Sequence, residues 1–334
     1  MLFMQIVSIF SWKIPLGEGI EKIIDFIIEN FSGPIELFTG LIDFLIENFE
    51  IFIMDGFPIS HLIVNIILIT IFIYSRKKDK KVALYTGAGM LVAVFIASFF
   101  YGFELIYSMG HPFLVISAFA LIAWTAKSYR LAIFVVLGLA LMWNIELWEE
   151  VIETLALIIT AVLVALVIGI PVGIIKAHNK YVHYIVRPIL DFMQTIPPFV
   201  YLIPALMLFG LGNVSGTIAT VIFAIAPPIR LTYLGITQVD DEIIEAGKAF
   251  GSSWWQMLFK IELPAALPSI MMGINQCIML ALSMVVIASM IGAGGLGEPV
   301  RLALSRIDIG LGFEAGLGVV IIAIMLDRIF GRNE

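Results

Sequence analysis

The one strongly polar stretch in the second half of the chain spans 238–264. Asp240, Asp241 and Glu242 open it, Glu245 and Lys248 follow, and Trp254-Trp255 stand just beyond Gly251-Ser252-Ser253. Acidic residues at a helix start complement its dipole. A glycine–serine stretch ends one helix, and Ser253 can cap the next. The pattern predicts a helix–turn–helix too polar for lipid, larger than an ordinary connector. A folded loop of this size is a docking candidate. A second group, Gln194, Thr195, Asn275, Gln276, Ser283 and Ser289, lies inside long apolar runs. An amide in hydrocarbon needs a protein or water partner, so these residues must face the bundle interior. They either bond helices together or line a polar path. Pro197-Pro198, Pro204 and Pro227-Pro228 interrupt the same runs. A single proline is explained by helix bending, but broken helices also mark substrate sites. Two Pro-Pro pairs in adjacent runs favour a path.

Other chemistries find no residues. His61, His111, His178 and His183 are scattered near run ends without ligand-like spacing, so no metal is expected. Cys277 stands alone in the chain and excludes an intramolecular disulfide or a cysteine-ligated cluster. No G-x-x-x-x-G-K-[ST] phosphate loop occurs in the sequence. No nucleophile–base constellation suggests an enzyme. An ion-driven secondary transporter would need paired carboxylates within the membrane; the one candidate in the second half is Asp191, beside Arg187.

The elements that must position these residues are membrane helices. Of the 334 residues, 61% are hydrophobic and 13% charged, and the mean hydropathy is +1.06. Soluble domains are about 25% charged, and the apolar runs here approach the ~20 residues that cross hydrocarbon. An all-α polytopic bundle follows, with about nine spans, roughly 58–75, 82–104, 112–126, 131–148, 153–176, 188–211, 216–237, 265–291 and 312–330. Of the 19 lysines and arginines, all but Lys13, Lys22, Arg301 and Arg306 then fall on one side. That bias puts the C-terminus in the cytoplasm and, with an odd span count, the N-terminus outside. Trp124, Trp143 and Trp148 sit where interfacial anchors belong. The opening residues, Met1 to Phe10, lack the basic region and cleavage site of a signal peptide.

Residues 1–55 differ. Ile20, Ile23, Ile24, Ile27, Ile28 and Phe31 form one helical stripe, and Phe38, Leu41, Ile42, Leu45, Ile46 and Phe49 form another. Acidic residues fill the opposite faces, and Gly33-Pro34 is expected to separate two amphipathic helices. They either lie along the extracytoplasmic interface or brace the bundle.

Glu245-Ala246-Gly247, three residues, Gly251, nine residues, then Ile261-Glu262-Leu263-Pro264 resembles the EAA loop of bacterial ATP-binding-cassette (ABC) importer permeases. Gly247 stands where that motif has its second alanine, a change that weakens a helix by at most ~1 kcal/mol. The segments Asp191–Leu202 and Leu280–Ile291, Gly294-Gly295-Leu296-Gly297 and Leu326-Asp327-Arg328 are similar to the glycine betaine/proline betaine subfamily. The resemblance runs from about residue 111 onward, is dense from Trp148, and leaves 56–110 as an additional transmembrane hairpin.

This resemblance implies a type I importer permease fold over 111–334, with 238–264 as the coupling loop. Glu245, Ala246, Gly247, Gly251 and Trp254 would meet a separate ATPase subunit, with Pro264 opening the next span. ATP and magnesium would bind that partner, and the chain would hold no cofactor of its own. An extracytoplasmic binding protein and a second copy of the permease would complete the machine in the lipid bilayer, with no nucleic acid involved. Met193, Gln194, Thr195, Pro197, Pro198, Asn275, Gln276, Ser283 and Met284 are the residues expected along the path. Met193, Met279 and Met284 would give a soft wall for a methylated cation or plain filling. Choline, carnitine or proline are alternative cargoes.

Overall fold

The computed structural model describes residues 16–54 and 103–331. The run 58–75 and nearly all of 82–104 lie outside these residues, and so does most of the expected hairpin. All regular structure among the described residues is helical.

Helix α1, Leu16–Met54, is kinked at Phe31, whose φ and ψ of −124° and 24° leave the helical region. The break falls just before the expected Gly33-Pro34, because Pro34 has no N–H for the Asn30 carbonyl and its ring crowds that carbonyl. Beyond the kink, Ile42 and Ile46 are buried and the Phe38 ring meets Phe209 with centroids 6.4 Å apart. Before it, Ile20, Ile23 and Phe26 are exposed.

Helices α2 (Phe103–Ala126) and α3 (Tyr129–Asn144) form a packed pair, and Ser128 caps the second by accepting the Leu131 N–H. Helix α4, Trp148–His178, has 31 residues and is about 46 Å long at 1.5 Å per residue. Its Val151, Leu155, Ile158, Ala161 and Ala165 face the main core.

The expected span 188–211 is not one helix. Helix α5 (Lys180–Thr195) and helix α6 (Pro198–Phe209) meet at 105°. Pro197 and Pro198 remove two successive N–H donors, and Ile196 takes the extended ψ of 131° that a following proline favours. The next pair behaves otherwise. Helices α7 (Asn213–Ala224) and α8 (Ala226–Thr237) form one apolar stretch of 25 residues. There Pro227-Pro228 lie in the first turn of α8, where the missing N–H groups are tolerated.

The polar segment 238–264 holds helix α9 (Asp241–Ala249), then helix α10 (Trp254–Met257) and a π turn at Leu258–Glu262, which runs without interruption into helix α11 (Leu263–Ala288). Pro264 stands in the first turn of α11, as expected, but the helix before it is not separate. Pro264 cannot bond back into the preceding turn, and the widened turn just upstream of it, closed by Leu263 N–H to Leu258 O, keeps the helix continuous instead. After a short 3₁₀ turn come helix α12 (Gly297–Arg306) and helix α13 (Ile309–Phe330), the latter capped by Asp308.

Among the described residues, Trp148–His178, Asn213–Thr237, Trp254–Ile291 and Ile309–Phe330 are long and apolar enough to cross a membrane, and the bent α5–α6 pair makes up to five such spans. Val115–Trp124 and Tyr129–Asn144 are shorter apolar helices. The count from sequence is higher because it includes 58–75 and 82–104, which lie wholly or almost wholly outside the described residues, and the runs 112–126 and 131–148, which fall on the two shorter helices.

Helix α8 is seated between α4 and α11 by close backbone approach. A Cβ on Gly173 would stand 2.7 Å from the Thr232 Cβ and 2.9 Å from the Ile229 carbonyl. Small residues at such crossings let membrane helices pack where lipid offers no hydrophobic gain. Gly173→Leu is therefore expected to cost about 1–3 kcal/mol, read as a lowered melting temperature of the purified protein in detergent. Gly316→Ala, at a position with open space around it, should leave that temperature unchanged.

Candidate coupling site and translocation path

The first arm of the elbow is α9. Asp241 and Glu242 occupy its first turn and Lys248 its last, each sign matched to the helix dipole. The arm ends in a Schellman motif, in which Ser252 N–H bonds Gly247 O at 3.1 Å and Gly251 N–H bonds Lys248 O at 2.9 Å. Gly251 has φ of +75°, a conformation that a side chain resists. Ser253 then opens the second arm with a full capping box shared with Gln256.

Gly247 is buried where the arms cross. A Cβ there would lie 2.6 Å from Ile261 Cδ1 and 2.9 Å from Met257 Cε. The glycine thus fits the arms together, which the helix-propensity comparison from sequence did not reveal. Glu245 and Ala246 are exposed beside it. The outer surface is aromatic. Phe250 is 90% exposed and Trp254, Trp255 and Phe259 are also open, with Trp255 stacked on Phe259 at 5.8 Å between centroids.

A contact not anticipated from sequence joins this elbow to the end of α4. His178 Nε2 lies 2.9 Å from Glu262 Oε2, and its Nδ1 lies 2.9 Å from the Ile174 carbonyl. The ring also meets Trp254 edge to face at 5.7 Å. Glu262 is buried within the π turn. His178 and Glu262 are 84 positions apart, and only the fold brings them together.

The residues expected along a path divide into separate groups. Gln194 and Thr195 end α5, Pro197 stands in the bend, and all three are exposed; Met193 and Pro198 are half-buried beside them. The Met193 carbonyl accepts a hydrogen bond from the Tyr201 hydroxyl across the bend. On α11, Gln276, Met279 and Ser283 are exposed on one face with Met272. Asn275 turns away and donates to Asp327 at 3.0 Å. Met284 is wholly buried with Tyr201, Leu202 and Ala219.

Carboxylates are more numerous in the helices than the sequence reading allowed. Asp191 pairs with Arg230, rather than standing only beside Arg187. Glu153, Glu262 and Asp327 also lie within described helices and make polar contacts. A charged residue inside an apolar helix was the available signal for them.

Residues 169–331 match the family model described as binding-protein-dependent transport system inner membrane component. The chain is 56% identical over 203 residues to the glycine betaine/carnitine transport permease protein GbuB of Listeria monocytogenes serotype 1/2a (strain 10403S), covering 61% of this chain and 72% of that one. The chain belongs to this family of ABC importer permeases. It is also 50% identical to the glycine betaine transport system permease protein OpuAB of Bacillus subtilis (strain 168), covering 63% of this chain and 75% of that one. Against the glycine betaine/proline betaine transport system permease protein ProW of Escherichia coli (strain K12) the identity is 51%, over 68% of this chain and 64% of that one. A solved structure of the MetNI methionine ABC transporter in an inward-facing conformation shares the fold, with a TM-score of 0.50 at 20% identity over 56% of this chain and 93% of that one. As a member of this family the chain is an integral, multi-pass inner-membrane permease component, not the ATPase.

If His178 and Glu262 act as a pair, removing either strands the other. The variants His178→Ala and Glu262→Ala and their double should then be non-additive by about 0.5–3 kcal/mol, measured by unfolding in mixed micelles. Additivity within about 0.3 kcal/mol would reduce the contact to mere proximity.

Proposed function

We propose that this chain is the channel-forming subunit of an ATP-driven importer of glycine betaine or a related compatible solute. The observation that carries this is the elbow. It is a rigid two-armed element with an exposed aromatic surface, joined directly to two long helices. Glu245, Ala246, Gly251 and Trp254 form the face offered to an ATPase, and Gly247 locks the arms together behind it. Motion imposed there would pass along α11 through the unbroken π turn and along α4 through His178. The cargo follows from the relatives named for glycine betaine. GbuB is named for carnitine as well, which makes carnitine the first alternative.

In this reading all but four of the lysines and arginines lie on the elbow's side, which is cytoplasmic with the C-terminus, and about nine crossings result when 58–75 and 82–104 are included. ATP and magnesium belong to the partner ATPase. Each chain brings one elbow, so two copies serve two ATPases, and an extracytoplasmic binding protein delivers the solute. Gln276, Met279 and Ser283, with Met193, Gln194, Thr195, Pro197 and Pro198 at the broken α5–α6 pair, would line the path. Asn275 and Met284 would support its wall from behind.

Reconstituted with its ATPase and binding protein, the chain should accumulate radiolabelled glycine betaine only when ATP is supplied. Glu245→Lys and Gly251→Trp should each lose at least tenfold in uptake while inserting normally. Full uptake by Gly251→Trp would contradict the coupling role.

A further inference from the structure

At the end of α4 opposite the elbow, about 37 Å along the helix from His178 at 1.5 Å per residue, a second polar constellation joins three separate helices. Glu153 Oε1 accepts from the Asn213 side-chain amide at 2.7 Å. Glu153 Oε2 accepts from the Gly295 N–H at 2.6 Å. Asn213 Oδ1 accepts from the Gly294 N–H at 2.8 Å. Thr154 receives the next N–H, from Leu296, at 2.8 Å and passes its own hydrogen to the Glu150 carbonyl at 2.6 Å. Gly212 N–H completes the closure on the Ile291 carbonyl at 3.0 Å. The start of α4, the start of α7 and the turn after α11 are thereby held to one half-buried carboxylate.

The turn is shaped for this. A Cβ on Gly294 would collide with Glu153 Oε1, and Gly295 has φ of +74° with Thr154 Oγ1 2.5 Å from its Cβ position. The carboxylate is satisfied by neutral N–H donors, not by a lysine or arginine. Such bonds can be exchanged for water when the helices part, whereas an apolar contact would have to expose its surface. Each hydrogen bond to a charged group weights the closed arrangement by roughly tenfold to a hundredfold. A partner binding the open arrangement selectively can overcome that bias.

We propose that Glu153 is a positioning residue for transport: with Asn213 it latches the turn 292–296 across the bundle end distal to the motor, and this latch must open in each cycle. The proposal rests on the importer reading above and deepens it.

The test uses the complex of this chain with its ATPase in nanodiscs, without binding protein or solute. Glu153→Gln leaves an amide facing an amide, and Asn213→Asp sets two carboxylates together. Combined, they restore the pattern with the roles exchanged. The amide introduced at position 153 accepts from Gly295 and donates to the carboxylate introduced at position 213, which in turn accepts from Gly294. Each single variant is expected to raise unstimulated ATP hydrolysis about five- to tenfold, and the double to return within twofold of the parent. Unchanged rates in the singles, or a double no closer to the parent than either single, would overturn the proposal. Should a single variant fail to assemble, Gly294→Ala, which pushes directly on the carboxylate, replaces it under the same criterion of a raised rate. Hydrolysis here needs no cargo, so a wrong solute assignment leaves the result standing; uptake by the parent complex tests the cargo separately.

Discussion

A backbone N–H or C=O in hydrocarbon has no water to turn to, so this chain can leave the helix only where other protein atoms or a polar cavity receive those groups. Three departures, in the bundle and at its ends, show how those groups are received. At Ile196-Pro197 two prolines remove successive donors and the chain turns through 105°. At Leu258–Glu262 a π turn absorbs the loss at Pro264, so the rod continues from Trp254 to Ile291. At 292–296 the N–H groups freed from the helix find Asn213, Glu153 and Thr154. The same requirement turns prolines and glycines into joints, and the lengths between them into stiff members.

Those members are tied at both ends by polar contacts of different kinds. At the elbow, aromatic rings and the His178–Glu262 contact fix α4 to the second arm, and buried Gly247 fixes the first arm to the second. The joint is rigid in construction, with a Schellman stop and a capping box on either side of Gly251. At the far end the bonds are made to loop amides and a carboxylate. Between them, α8 is held against α4 and α11 by backbone-close crossings. A movement applied at one end therefore reaches the other through packed helices without a flexible link.

Much of this was legible in the residues. The polar stretch at 238–264, the stop at Gly251 and the cap at Ser253 follow from local chemistry, and the elbow has all three. Apolar runs located α4, the combined α7–α8 stretch and α13 to within about five residues. Three things were not legible. Two Pro-Pro pairs look alike in sequence and each opens a helix, yet the chain turns through 105° at the first, where Ile196 and Pro197 are extended, and runs on at the second, where Ile225 stays helical. The continuity through Pro264 depends on a π turn that no local pattern announces. His178–Glu262 and Glu153–Asn213 are separated by 84 and 60 positions, so the pairing is a property of the packed bundle and not of any motif.

The central claim is that elbow and helices move as one body. Distance measurements between paired spin labels in the ATPase-bound complex test it most directly. One pair, at Lys248 and Lys180, spans the elbow and the first residue of α5, directly after the end of α4; the other, at Glu149 and Arg301, spans the distal turn. On adding ATP with a hydrolysis-blocking ATPase variant, the first distance should stay constant and the second should lengthen. A changing first distance with a constant second would mean that the elbow flexes on its own and does not drive the bundle.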